Sequence, residues 1–130
     1  MRVALSRIFL GLAAAILLAG AWMHTSAFYR ATEAVANSDL ESFFAHSLPA
    51  LWLIDSVVMT VLALLFAAIS FRPAVATPLA VLVLGLIPGA TACLLYRFIG
   101  SGFIPAHMLA IAAALTVASA ALRLRAAAPP

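Results

Sequence analysis

The chain contains no lysine, so its seven basic residues are all arginine. They are scattered and form neither stripe nor cluster, which excludes a nucleic-acid face. There is one cysteine, Cys93. An intramolecular disulfide and Cys-x-x-Cys redox chemistry are therefore both excluded. Charge is scarce. Asp, Glu, Lys and Arg make up 8% of the 130 residues and apolar residues 67%, where a soluble domain has about 25% and about 45–50%. A chain this short cannot hide that much apolar surface in one water-soluble core, because surface is too large relative to volume. Lipid is the natural solvent for the excess. No catalytic or cofactor motif is specific enough to name a reaction, and the sequence requires no cofactor. Lysine-free, alanine-rich usage fits a GC-rich bacterial genome.

What the chain does have is long apolar runs. Crossing the hydrocarbon takes about 20 apolar residues in a helix. Four stretches qualify, at about 3–23, 48–71, 74–98 and 103–123. The runs are continuous and do not alternate, which argues for helices over a β-barrel. The expected fold is all-α: one integral membrane four-helix bundle over residues 1–125, antiparallel and up-down, with a frayed tail at 126–130. The first run has an alternative as a cleaved signal peptide, with Arg2 and Arg7 before it and Thr25-Ser26-Ala27 after it; its length favours a span. Residues 24–47 hold most of the polar side chains. Within them Ser38-Asp39-Leu40-Glu41 reads as a capping box. It predicts a short amphipathic helix at about 39–47, with Leu40, Phe43 and Phe44 on one side in the interface. Pro49 then starts the second span afresh or kinks a continuous helix. Arg72-Pro73 and Gly100-Ser101-Gly102 make the remaining turns.

Orientation follows from arginine. With the N-terminus inside, the inner side carries Arg2, Arg7, Arg72, Arg123 and Arg125, and the outer side Arg30 and Arg97. This predicts a multi-pass protein of the bacterial inner membrane with both termini cytoplasmic. Trp22, Trp52, Tyr29 and Tyr96 then fall near the outer interface, where aromatic residues concentrate.

That topology places His24, His46, Asp55, Arg97 and His107 toward one face, with Glu41, Ser56 and Tyr96 near them. The inner half is expected to be apolar and Ala-rich. Asp55 is the sharpest candidate. A charge in the hydrocarbon costs about 2.5–3.5 kcal/mol on insertion scales, and such residues face the bundle and have partners. Trp52, Asp55, Ser56 and Met59 share a helical face. Arg97, His107 and His24 are the expected partners, in a structural clamp or in proton transfer or ligand binding. Three His and a carboxylate suit Zn or Fe. His24, His46 and His107 come from separate segments with no His-x-x-His motif, so no metal is assigned to them. Gly85 and Gly89, with Pro88 between, predict close helix packing, or alternatively a dimer face or hinge. Cys93 is expected to be a small buried residue.

Three function classes remain. The expected one is a non-enzymatic accessory or small-ligand-binding protein, with the bilayer as its partner and a homo-oligomer or larger membrane complex compatible with it. An enzyme or redox or metal protein would need the His and Asp side chains to converge on an outward pocket. A small proton-coupled transporter, acting as an oligomer, would need a polar path to both faces.

Overall fold

A computed structural model describes residues 1–127. Helix α1 spans Arg2–Ser26, α2 Phe28–Ala36, α3 Ser42–Phe71, α4 Pro78–Phe98 and α5 Ile104–Ala127, with a single 3₁₀ turn at Pro73–Val75. There is no strand among the described residues. Helices α1, α3, α4 and α5 are each long and apolar enough to cross a membrane.

The first loop departs from expectation. Residues 39–41 are not helical, and the capping box is not formed. Instead the Ser38 hydroxyl donates to the Val35 carbonyl at 2.6 Å and the Asn37 amide to that of Glu33 at 2.9 Å. Ser38 thus closes the helix before it rather than opening the one after. That earlier helix, α2, went unforeseen. Its half-buried residues, Phe28, Ala31, Thr32 and Val35, recur at helical spacing and pack against α3. The joint at Ala27 stays in the right-handed helical region (φ −82°, ψ −6°), so α2 continues α1 with only a local break. The expected interfacial helix at 39–47 is replaced by the first turns of α3, which begins after Glu41 and runs through Pro49 without interruption. A proline two turns into a helix forfeits its amide bond and crowds the carbonyl four residues back, here that of Ala45, yet the helix continues past it.

Helix α4 starts later than the apolar run. Thr77 caps it by accepting from the Ala80 amide at 3.1 Å, with Pro78 in the first helical position. Helix α5 continues through residues 126 and 127, where fraying was expected; the rest of that tail, 128–130, lies outside the described residues.

Helix α1 packs against both α3 and α5, and α5 packs against α4, whereas α3 and α4 barely touch. The ring of four helices is therefore open on one side. Small residues bring the helices together: Ala13, Ala63, Ala106 and Ala112 are buried around Leu10, Leu17, Phe66 and Val81. On α4, a Cβ at Gly85 would sit 2.8 Å from Thr116 Cγ2 of α5, and one at Gly89 would sit 3.5 Å from Ala113 Cβ. The glycine pair serves packing within the bundle. Cys93 is exposed, not buried, because α4 turns that side away from α5.

The end bearing five arginines is not the apolar half expected. Ser119 Oγ donates to the Ser6 carbonyl at 3.0 Å, which leaves the Ser6 hydroxyl to donate to Ser119 Oγ at 2.8 Å. Arg7 Nε donates to the Ser70 carbonyl at 2.7 Å, and Ser70 Oγ returns a bond to the Arg7 carbonyl at 2.8 Å. Arg123 reaches the Pro73 and Ala76 carbonyls and so holds the α3–α4 connection against α5. Sequence composition concealed this seam because Ser on an Ala-rich helix looks like another small residue.

Candidate functional site

The last turn of α1 carries His24 onto the face of α3 formed by Trp52, Asp55, Ser56 and Met59. His24 Nδ1 lies 2.9 Å from Ser56 Oγ, and its Nε2 lies 3.6 Å from Asp55 Oδ2. Trp52 stacks on the imidazole with ring centroids 4.2 Å apart and 11° between planes, while its Nε1 donates to the His24 carbonyl at 2.7 Å. The imidazole is fixed by a hydrogen bond, a stacked ring and its own anchored backbone. Asp55 accepts no hydrogen bond among the described residues, and its side chain is 42% exposed.

Of the three partners expected for Asp55, only His24 is there. His107 is exposed on α5 and pairs with the Tyr96 hydroxyl of α4, with Nδ1 and Oη 2.7 Å apart. Arg97 is exposed at the end of α4, with its guanidinium 5.7 Å from the Phe98 ring centre. His46 is exposed on α3, and its Nδ1 donates to the carbonyl of Ser42 in its own helix at 2.6 Å. Glu41 is the exposed residue preceding α3. The expected single cluster is thus two pairs and several separate side chains. Helix rotation, which the sequence does not encode locally, sends the two pairs to different seams: α1–α3 and α4–α5. Among the described residues no three His, Cys, Asp or Glu side chains come near enough to share a metal ion.

Beside His24 and Asp55 lies a cavity of about 520 Å³. It occupies the open side of the ring, between α3 and α4 and over α1 and α5. Ile16, Gly20 and Met23 of α1, Met59 of α3, Leu95 of α4, Ile99 just after α4, and Met108 and Leu109 of α5 form its walls. His24, Asp55 and the Trp52 indole supply its polar end. Gly20 keeps the floor low, with Met59 Sδ 3.5 Å from where a Cβ would stand. Three of the chain's four methionines, Met23, Met59 and Met108, line this space. Met is unbranched and polarisable, and suits a wall that adapts to its occupant. Met59 shares the Asp55 face by its spacing alone, whereas Met23 and Met108 carried no signal beyond standing next to His24 and His107.

Ser56, His24 and Asp55 have the composition of a nucleophilic triad, but their arrangement does not perform that chemistry. Ser56 is 6% exposed and is not part of the cavity wall. It sits mid-helix, where neighbouring amides are spent on helical bonds and leave no donors for an oxyanion. The 3.6 Å between imidazole and carboxylate is also longer than a hydrogen bond. The arrangement orients the imidazole through Nδ1 and leaves Nε2 and the carboxylate without a hydrogen-bond partner among the described residues. Compared with protein-family models, curated proteins and solved structures, the chain matches none.

Proposed function

We propose that this protein is a multi-pass, antiparallel helical bundle of the bacterial inner membrane that binds a lipophilic small molecule bearing one polar group. The observation that carries the reading is the cavity. Its volume of about 520 Å³ falls within the roughly 300–1,000 Å³ of small-molecule sites, which are apolar with a few placed polar groups. Its walls are apolar, its polar end is one carboxylate–imidazole pair, and its open side lies between two lipid-length helices. A ligand dissolved in the bilayer would enter there without crossing water.

Placement in the membrane supports this. About 20 residues of helix cross the hydrocarbon. Counted from Arg7 on α1 this reaches Ala27, and counted back from Arg72 on α3 it reaches Trp52. Asp55 then lies about one turn inside the boundary, at the depth where the polar group of an amphiphile sits. Trp22 and Tyr29, both highly exposed, fall near the same boundary. The start of α1 bonds to the ends of α3 and α5 through Arg7–Ser70 and Ser6–Ser119, which supports alternating helix directions. The end with five arginines and no acid then faces the cytoplasm, as charge bias predicts. A continuous transport path finds no support, since Leu10, Leu17, Phe66 and Val81 are fully buried between the cavity and that end.

Native mass spectrometry of the protein released from membranes tests the reading. The wild type should retain a lipophilic adduct, and Gly20→Leu, which fills the cavity floor, should lose it while melting at a similar temperature. An adduct of equal abundance in both proteins would refute it.

A further inference from the structure

A second groove, of about 330 Å³, lies at the opposite end, between the start of α1 and the end of α3. Ala4, Ile8 and Gly11 form one side and Ser70 and Phe71 the other, with Arg7 among them. The reciprocal bonds between Arg7 and Ser70 fix the guanidinium by its Nε. Its two terminal nitrogens make no hydrogen bond among the described residues, and the side chain is exposed. Arg2 and Arg123, by contrast, spend donors on the carbonyls of Arg125, Pro73 and Ala76. All four acidic side chains, Glu33, Asp39, Glu41 and Asp55, belong to the other end, so no acidic side chain among the described residues neutralises Arg7.

We propose that this groove binds an anionic phospholipid, with the phosphate diester on the Arg7 guanidinium and the acyl chain against Ile8, Gly11 and Phe71. A guanidinium held by Nε presents its remaining donors as a fork, which matches two phosphate oxygens. Basic pockets on the inner side of helical membrane proteins recognise lipid headgroups in this way. The missing side chain at Gly11 keeps the apolar part of the groove open. The lack of an Asp or Glu side chain at this end favours an anionic lipid: a zwitterionic headgroup would bring an ammonium with no acidic side chain among the described residues to meet it. The site is separate from the cavity beside Asp55 and depends only on the protein lying in a membrane.

The test measures binding of phosphatidylglycerol and phosphatidylcholine to the full-length protein in neutral detergent by native mass spectrometry. The wild type should prefer phosphatidylglycerol about tenfold, the scale of one charge-assisted contact. Arg7→Gln should abolish the preference. Gly11→Leu, whose Cβ would stand in ordinary contact 3.5 Å from Ser70 Oγ, should weaken phosphatidylglycerol binding, and Arg97→Gln at the other end should change nothing. No preference in the wild type, or a preference that survives Arg7→Gln, would overturn the assignment. So would inorganic phosphate displacing the lipid at equal concentration, since that marks a free-anion site. Gly11→Leu alone decides the matter if Arg7→Gln does not fold.

Discussion

The two ends of this bundle use the same seam in opposite ways. At each end a polar side chain of α1 bonds to a serine of α3: Arg7 with Ser70, and His24 with Ser56. At the arginine end the bonding is reciprocal, residues 72–77 tie α3 to α4, and Arg123 clamps that connection to α5. At the histidine end no connection joins α3 to α4, and the cavity lies between them. The difference teaches that where serine hydroxyls and guanidinium N–H groups bond to carbonyls across the seams the connections hold the helices together, with only the groove beside Arg7 left, whereas at the histidine end an imidazole nitrogen and a carboxylate are left over beside the larger cavity. Satisfied buried networks contribute rigidity and uniqueness; the unsatisfied pair is what remains available for a ligand.

The closed side is the place to break first. Gly85→Val would drive a side chain into Thr116, which already stands 2.8 Å from the Cβ position. Overpacking of this kind costs about 1–3 kcal/mol and at times more. The prediction is the largest loss of stability in the chain, about 3 kcal/mol in reversible unfolding in mixed micelles, whereas Gly89→Ala, with 3.5 Å of room, is tolerated. Next is Ser119→Ala. It removes both the donor to the Ser6 carbonyl and the acceptor of the Ser6 hydroxyl in a fully buried site. The expected loss is about 1–2 kcal/mol, and adding Ser6→Ala should cost little more, because the two serines act as one unit. Equal, additive losses would show that the seam is not a shared network.

Much of the fold was legible because lipid-length apolar runs leave a chain few alternatives; four such helices are present. The polar register was less so. Ser38 fits a capping box by spacing, yet its hydroxyl ends α2, since a Ser can bond backward to a carbonyl as readily as forward to an amide. Asp55 and His24 were both singled out, and they do meet. Arg97 and His107 were singled out on the same grounds and do not join them, because what decides their partners is the rotation of α4 and α5, and that is set by Gly85 against Thr116 and Gly89 against Ala113. The methionine-lined cavity was illegible for a simpler reason: a void is a property of helix spacing, and no single residue announces it.

The smallest effect sharpens the comparison most. A helix clamp was one expectation for Asp55, beside proton transfer and ligand binding, and a clamp should matter for stability. Its partner, however, is 3.6 Å away and its side chain is 42% exposed, while His24 is already held by Ser56 and Trp52. At 3.6 Å the two groups are beyond hydrogen-bond reach and both are partly exposed, so the contact contributes about 0–1 kcal/mol at most. Asp55→Asn should therefore shift stability by less than about 0.5 kcal/mol, against about 1 kcal/mol for Ser56→Ala, which removes the bond to His24 Nδ1. The same Asp55→Asn protein should lose the lipophilic adduct seen by native mass spectrometry, or exchange it for one with a different polar group. A large loss of stability with the adduct unchanged would make the histidine end a second clamp like the arginine end, and the cavity a packing defect between α3 and α4.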